Sequence, residues 1–173
     1  MMRTPTAAAG SAVFFVAAPG TVAGLIPWLI THWDFHQPLT HWAIAKAVGV
    51  LLICVGMLPL VSAFAEFVKA GGTPMPIAAP PQLVVSGFNR YVRNPMYVGV
   101  LLIIIGQALL FGSLGLLIYA APTWLLVATF VRWYEEPTLT RQFGTDYQEY
   151  RRGVRAWWPR LRPWTPETTS TPG

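Results

Sequence analysis

The sequence predicts an all-α membrane protein of about four transmembrane helices, which ends in a helical hairpin and a basic tail at the membrane interface. Of its 173 residues, 54% are hydrophobic and 11% are charged, whereas a soluble domain usually carries about a quarter charged residues. The apolar residues are gathered in four long runs. Because backbone groups in lipid must be paired within their own segment, these runs favour helices over strands.

The lengths of the four runs define the predicted helices. The runs cover residues 9–30, 42–67, 97–111 and 114–133. A helix needs about 20 apolar residues, with a range of about 17 to 25, to cross the hydrocarbon core. The third run reaches this length only if residues 94–96 form its first turn. Residues 111–113 are all that separates the last two runs, so we expect an antiparallel hairpin there.

Three regions follow from this pattern. Residues 1–82 would form two transmembrane helices and a cytoplasmic connector, in which the Pro- and Gly-rich stretch 71–81 opposes helix formation. Residues 83–164 would form the hairpin and the basic interfacial tail. Residues 165–173 are rich in Thr and Pro and are expected to be disordered.

Small residues predict close helix contacts. Gly49 and Gly56 are spaced by one heptad, and so are Gly99 and Gly106. Glycines on one helix face allow two backbones to approach closely. The simplest interpretation of these glycines is therefore packing between transmembrane helices.

Charge predicts the orientation of the helices. Residues 31–41 contain no Lys or Arg, residues 69–94 contain three, and the tail after Trp133 contains six. Because basic residues prefer the cytoplasmic side, both termini should be cytoplasmic and the loop 31–41 external, in a bacterial-type inner (plasma) membrane. The basic excess follows an apolar hairpin, so anionic lipids are a simpler partner than nucleic acid.

Several common functional sites are not indicated. Cys54 is the single cysteine, so no disulfide framework exists. His32, His36 and His41 fall on the predicted external loop with loose spacing, and no metal site is expected. The sequence also contains no P-loop, zinc motif or nucleophile elbow.

The most informative block is SGFNRYVRNPMYVG, which begins at Ser86. Asn94 is a favoured N-cap and Pro95 a favoured first helical residue, so the third helix should begin here. A helix start presents free N–H groups and a partial positive charge. With Arg90 and Arg93 just before it, this block predicts a site for a carboxylate or phosphate. The alternative is that both arginines simply anchor the helix to lipid headgroups.

Two adjacent carboxylates, Glu135 and Glu136, occur where the fourth run leaves the membrane. They could hold an ammonium, a ribose diol or a sulfonium, or they could form salt bridges with Arg132 or Arg93. The hairpin brings the start of the third helix and the end of the fourth to one membrane face. Arg93-Asn94 and Glu135-Glu136 can therefore converge, as one zwitterionic ligand would require.

A third block, FGTDYQEYRRGVRAWWPRLRPW, follows from Phe143. Tyr147 and Tyr150 share a helical face, and Trp157, Trp158 and Trp164 would lie among the headgroups. The block is typical of an interfacial segment. Membrane anchoring and substrate contact both remain open as its role.

Together the three blocks resemble the isoprenylcysteine carboxyl methyltransferase and phospholipid methyltransferase superfamily. SGFNRYVRNPMYVG is similar to the signature S-G-x-x-R-[Y]-x-R-[HN]-P-x-Y-x-G, and EEPTL is similar to E-E-x-x-L. FGTDYQEYRRGVRAWWP resembles the F-G-x-x-Y-x-x-Y segment and its basic end that contains Trp and Pro. The likeness covers about residues 83–164, and the three motifs follow the family's order and spacing. This region is therefore methyltransferase-like.

The resemblance implies a methyltransferase that uses S-adenosylmethionine and a lipophilic acceptor, such as a lipid amine or an isoprenoid-linked carboxylate. The residues implied at the cofactor site are Arg93, Asn94, Pro95, Tyr97, Glu135 and Glu136. Arg93 and Asn94 are also the catalytic candidates, and Tyr150, Arg152 and Arg155 are the substrate-binding candidates.

The sequence departs from the family pattern at two places. Asn94 stands where many members have His, and an amide cannot act as an acid or base near neutral pH. Gly153-Val154-Arg155 stands where many members have Arg-Val-Pro. If the family arginine holds a carboxylate, its absence weakens the expectation of a prenylcysteine acceptor, unless Arg152 or Arg155 replaces it.

Two other functions compete with this interpretation. Sterol reductases, which use NADPH, have a similar membrane architecture and an R-H-P-N-Y-x-G-E-like signature. Here Met96 stands where that signature has Asn, and Val100 where it has Glu, which favours the methyltransferase. A non-catalytic assembly protein would bind no cofactor and would tolerate Glu135→Ala and Arg93→Ala.

Overall fold

A computed structural model describes residues 17–69, 83 and 85–165 of the chain, and all regular secondary structure in these ranges is helical. The principal helices are α1 (Ala17–Thr31), α2 (Ala43–Lys69), α3 (Pro95–Phe111), α4 (Leu114–Phe130) and α5 (Glu136–Gly153). The predicted all-α class is confirmed. The connector 71–81, the start of the first run and residues 166–173 of the tail lie outside the described residues. The three-region division stays a prediction.

Helix length and composition agree with a membrane setting. Ala43–Ala63 and Leu114–Gly153 are long and apolar enough to cross a bilayer, and α1 and α3 are shorter apolar helices. The 17 residues of α3 extend about 25 Å at about 1.5 Å per residue, which is less than the roughly 30 Å of a hydrocarbon core. Large exposed side chains such as Leu51, Leu58 and Leu125 suit contact with lipid. The number of spans and their orientation stay predictions.

The turn between α3 and α4 confirms the predicted hairpin. Gly112 ends α3 in the left-handed conformation with φ 66°, where glycine avoids steric strain. A Cβ at Gly112 would also lie 2.6 Å from the His36 carbonyl oxygen. The Ser113 side chain then caps α4 by accepting a hydrogen bond from the Leu116 N–H at 3.4 Å.

Two pairs of glycines bring α2 and α3 together. A Cβ at Gly49 would lie 2.6 Å from the Gly106 carbonyl oxygen, and a Cβ at Gly106 would lie 2.6 Å from that of Gly49. Gly56 and Gly99 form a second reciprocal pair, at 2.6 and 2.5 Å. Each contact involves backbone atoms that cannot rotate away. The predicted packing role of these glycines is confirmed, and the structure identifies their partners.

We therefore expect Gly106→Ala to lower the melting temperature of the protein in detergent, since overpacking typically costs about 1 to 3 kcal/mol. Gly24→Ala is the matched control, because a Cβ at Gly24 meets nothing within 4 Å. Alanine favours a helix over glycine, so this control should leave the melting temperature unchanged or raise it. Equal shifts for both variants in a thermal unfolding assay would contradict the packing role of Gly106.

Polar side chains of the hairpin bind the backbone of α1. A π-helical turn, Thr21–Leu25, interrupts the regular hydrogen bonding of α1. Tyr119 donates to the Val22 carbonyl at 3.0 Å, and Gln107 donates to the Ala23 carbonyl at 2.7 Å. These bonds satisfy carbonyl groups within an apolar setting, where an unpaired group is costly.

The loop between α1 and α2 packs on the hairpin turn. The Trp42 indole donates to the Leu109 carbonyl at 2.8 Å, and the His36 N–H donates to the Phe111 carbonyl at 2.9 Å. This loop therefore lies at the end of α3 opposite to Arg93. The separation agrees with the predicted topology, in which the loop and the arginine-rich end face different compartments.

Cysteine labelling tests this topology. In a Cys54→Ser background, a cysteine at the exposed Gln37 should react with a membrane-impermeant thiol reagent added outside the cell. A cysteine at the exposed Thr145 of α5 should react only after the cytoplasmic side is opened. Labelling of both positions from one side would contradict the topology, and the reverse pattern would invert it.

The structure corrects the predicted end of the fourth helix. The sequence suggested that this helix ends near Trp133, but α4 continues through a π-helical turn, Val131–Glu135, into α5. The helical backbone thus carries Glu135 and Glu136 out of the apolar run without a loop. A kink follows at Gly144, where φ is 51° and ψ is −119°.

Residues 154–164, which we call the strap, contain no regular secondary structure and cross the start of α3. Three backbone hydrogen bonds hold the strap: Arg93 N–H to Arg155 O, Arg160 N–H to Tyr91 O and Trp164 N–H to Arg90 O, each at 2.9 Å. The predicted interfacial block is therefore divided between the end of α5 and the strap.

Candidate functional site

The predicted convergence of the two charged blocks is present in the structure. Arg93 lies just before α3 and Glu136 begins α5, and their side chains form an ion pair of 3.0 Å between Nη1 and Oε1. Only 10% of the Arg93 side chain and 8% of the Glu136 side chain are exposed. A buried pair of this kind needs well-matched partners, because removing either charge leaves the other without compensation.

Local backbone features position both sides of this pair. A 3-10 turn, Gly87–Arg90, leads the chain into the start of α3 at Pro95. On the other side, the π-helical turn Val131–Glu135 ends directly before Glu136. A π turn changes the phase of a helix and is frequent at functional sites. The two adjacent glutamates consequently take on different surroundings.

Glu136 is surrounded by guanidinium groups. Besides Arg93, its Oε2 atom lies 3.4 Å from Arg151 Nη2 and 3.7 Å from Arg132 Nη1. The salt-bridge interpretation that the sequence left open applies to this glutamate. Arg151 had not been identified as a site residue, and the sequence offered no signal for it beyond its place in a basic run.

Glu135 has a different environment from its neighbour. The Tyr97 hydroxyl donates to Glu135 Oε2 at 3.4 Å, and Glu135 forms no ion pair with another residue in the described ranges. Burial raises the pKa of the Glu135 carboxyl, and the hydrogen bond from Tyr97 lowers that pKa in part. Glu135 is therefore a partly buried carboxylate with few partners, which can bind a cationic or hydroxyl-bearing ligand.

Two tyrosines of α5 support this arrangement. Arg93 donates to the Tyr147 hydroxyl at 3.1 Å, and the Tyr150 hydroxyl donates to the Asn89 carbonyl at 2.7 Å. Both rings are buried and pack in one apolar cluster with Val154. We call Arg93, Tyr97, Glu135, Glu136 and Tyr147 the acid–arginine cluster. The contact of Tyr147 with Arg93 was missed from the sequence, although the shared face of the two tyrosines had pointed to this side of α5.

The prediction that Asn94 caps the third helix is only partly correct. Pro95 is the first residue of α3, and the Val98 N–H donates to the Asn94 carbonyl at 3.1 Å, so the helix begins as predicted. The Asn94 side chain, however, makes no capping hydrogen bond. Its amide donates instead to the Ala156 carbonyl at 3.2 Å, because the strap passes directly over the start of α3.

The three predicted substrate residues are not brought together. Tyr150 is buried, with 4% of its surface exposed. Arg152 and Arg155 are exposed, the first on α5 and the second in the strap. Their assignment to substrate binding stays a prediction.

The departure from the family pattern at Gly153 has a structural reason. The Trp164 indole lies directly on Gly153, so that a Cβ there would collide with the Nε1 and Cδ1 atoms of Trp164. The indole also packs on the Tyr150 ring, with centroids 5.6 Å apart. An arginine at position 153 could not coexist with this arrangement.

The acid–arginine cluster contains one hydrogen-bond donor and one acceptor without a hydrogen-bond partner. Arg93 Nε and Glu136 Oε2 are buried without a hydrogen-bond partner, and such atoms are rare in folded proteins. With the sparsely partnered Glu135, these atoms suit a ligand that carries a carboxylate together with an ammonium or hydroxyl groups. Among the described residues, no group of three His, Cys, Asp or Glu side chains could hold a metal ion.

Comparison with known proteins identifies the family. The family model for phospholipid methyltransferases matches residues 44–146, which is more than half of the chain. No curated protein and no solved structure matches the chain. The matched range contains the start of α3 and both glutamates, and it agrees with the resemblance that the sequence motifs indicated. The chain therefore belongs to the phospholipid methyltransferase family, a family of membrane methyltransferases.

Proposed function

We propose that the protein transfers a methyl group from S-adenosylmethionine to a lipophilic acceptor, such as a lipid amine or an isoprenoid-linked carboxylate. The observation that carries this proposal is the meeting of Arg93 and Glu136 at 3.0 Å, with Glu135 beside them, in a member of a methyltransferase family. We place this end of the helix bundle at the cytoplasmic membrane surface, where a soluble cofactor and a membrane-bound acceptor can both arrive. No feature of the site favours the reductase or the assembly protein.

The residues of the cluster match the groups of the cofactor. S-adenosylmethionine carries a carboxylate, an ammonium, a sulfonium and a ribose diol. Glu135 would bind the ammonium or the diol, because its carboxylate has one hydrogen-bond donor, Tyr97, among the described residues. Arg93 would bind the carboxylate through its unpartnered Nε. Glu136 already pairs with Arg93, so its role would be to hold that guanidinium in place.

When bound, the cofactor supplies a methyl group that its positively charged sulfur has already activated. The contribution of the protein is therefore positioning. Tyr97 fixes the Glu135 carboxylate, while Glu136 and Tyr147 fix the Arg93 guanidinium. Asn94 connects the start of α3 to the strap, and its amide can orient a neighbour but cannot exchange a proton near neutral pH.

A lipophilic acceptor is consistent with the surroundings of the cluster. The strap reaches down to α4, where the Trp157 and Trp124 rings contact each other with centroids 6.3 Å apart. Trp124 and Leu125 are exposed on α4. An apolar surface therefore lies close to the strap, and an acceptor with a hydrocarbon tail could use it.

The proposal is tested by lipid methylation. Purified protein in nanodiscs of a total lipid extract, incubated with methyl-labelled S-adenosylmethionine, should transfer label to the lipid fraction. Arg93→Ala should abolish this transfer, since both the ion pair and the unpartnered Nε are lost. If the parent protein binds S-adenosylhomocysteine but labels no lipid, the acceptor class is wrong. If the parent protein does not bind S-adenosylhomocysteine, the proposed function itself is wrong.

A further inference from the structure

A concave surface lies on α5 beside the acid–arginine cluster. It is an open groove of about 400 Å³ lined by Thr140, Gln148, Arg151 and Arg152. Three of these residues lie beyond residue 146, where the match to the family ends. The family match therefore does not extend over most of this groove.

The kink at Gly144 separates the lining residues of the groove. Thr140 comes from the first part of α5, and the other three residues come from the second part. The φ of 51° and ψ of −119° at Gly144 belong to a region that is essentially restricted to glycine. On the second part of the helix, Gln148, Arg151 and Arg152 are spaced by three and four residues and so share one face.

The groove carries uncompensated positive charge. Arg151 is 46% exposed and lies 3.4 Å from Glu136 Oε2, but that carboxylate is shared with Arg93 and Arg132. Three guanidinium groups thus surround one carboxylate. The Arg152 side chain makes no hydrogen bond or ion pair with another residue in the described ranges.

Apart from Glu136, the acidic side chains of α5 lie outside this lining. Asp146 and Glu149 are exposed on α5, but neither lines the groove. Arg151 shares the Glu136 carboxylate with two other arginines, and Arg152 does not pair with it, so this concave polar surface keeps an excess of positive charge that attracts anions.

We propose that this groove binds a phosphate group, carried either by a lipid headgroup or by a soluble phosphomonoester. Guanidinium groups form paired, charge-assisted hydrogen bonds with phosphate oxygens, and Arg151 and Arg152 supply two such groups. The Gln148 amide adds neutral donors. The groove exceeds the volume of one phosphate group, so part of the organic substituent of the ligand fits as well. This site requires neither a methyl donor nor a methyl acceptor.

Binding is measured on the full chain without any methyl donor. In detergent, calorimetric titrations use inorganic phosphate and glycerol 3-phosphate. In nanodiscs of phosphatidylcholine, native mass spectrometry counts bound phosphatidic acid. We expect saturable binding of at least one of these probes, and Arg152→Gln and Arg151→Gln should each weaken it by about tenfold, as expected for a charge-assisted contact in a partly exposed site.

Arg141→Gln is the charge-matched control, since Arg141 is exposed on the same helix but does not line the groove. Binding of the soluble probes alone identifies a soluble ligand, and binding of phosphatidic acid alone identifies a lipid headgroup. Both results support the site when they depend on Arg152 and not on Arg141. Equal losses in all three variants, or no saturable binding of any probe, would overturn it. Because S-adenosylhomocysteine is absent, neither result depends on the proposed methyl transfer.

Discussion

Glu135→Gln is expected to weaken the binding of S-adenosylhomocysteine by about 10- to 150-fold, the equivalent of one lost charge-assisted hydrogen bond of about 1.5 to 3 kcal/mol. The same substitution should leave the ligand-free protein as stable as the parent, or more stable. The reason is that burial raises the pKa of Glu135, so that ionising this carboxyl near neutral pH costs folding free energy. Glutamine removes that cost and can still accept the hydrogen bond from Tyr97.

Glu136→Gln should instead destabilise the ligand-free protein. Glu136 and Arg93 are almost fully buried and lie 3.0 Å apart, and breaking a buried ion pair typically costs about 3 to 5 kcal/mol. Arg132 and Arg151 are exposed at 69% and 46%, so their ion pairs add little to this loss. We therefore expect a marked fall in melting temperature. Both variants are compared by calorimetric titration and thermal unfolding, with the exposed Asp146→Asn as the control that changes neither quantity.

The difference in affinity for S-adenosylhomocysteine between the parent and Glu135→Gln should depend on pH. A protonated Glu135 is neutral and attracts an ammonium weakly, so the parent should lose affinity as the pH falls through the raised pKa of this carboxyl. The folding cost of Glu135 also depends on pH: it is absent below the ordinary carboxyl pKa, grows as the pH rises above that pKa, and is complete above the raised pKa. Glu135→Gln should lack both dependences. If Glu136→Gln instead abolishes binding and Glu135→Gln leaves it unchanged, the roles of the two glutamates are reversed.

The helical hairpin could be predicted from the sequence because its determinants are local. Apolar runs give the helices, and Gly112 gives the turn between them. Heptad spacing likewise identified the glycines of α2 and α3 as packing residues. That Gly49 pairs with Gly106, however, depends on the relative axial position of the two helices. That register is a property of the packed pair, so neither helix alone contains it.

The different roles of Glu135 and Glu136 could not be predicted. Adjacent residues on a regular helix point about 100° apart, and this spacing alone does not say which one meets Arg93. The π-helical turn Val131–Glu135 sets that phase, and no residue pattern in the sequence marks it. The strap was hidden for a related reason, since its contacts join residues such as Arg90 and Trp164 that are distant in sequence.

Gly153→Ala is expected to detach the strap and to weaken the binding of S-adenosylhomocysteine by about tenfold, a typical coupling between residues in contact. An added Cβ would collide with the Trp164 indole, so the ring must leave its place against Tyr150. The hydrogen bonds from Arg160 to Tyr91 and from Trp164 to Arg90 would then be lost first. Without the strap, Arg93 and Asn94 also lose their bonds to Arg155 and Ala156, and the start of α3 is no longer fixed.

Hydrogen exchange and a double-mutant comparison separate this mechanism from general unfolding. The amides of Arg93, Arg160 and Trp164 should exchange faster in Gly153→Ala, while amides in the centre of α3 keep the protection of the parent, because the opening is local. Trp164→Ala removes the ring that the added Cβ would strike. In that background Gly153→Ala should therefore add no further loss of affinity. If the two substitutions are additive instead, the collision with Trp164 is not the cause, and the strap does not hold the start of α3 through this contact.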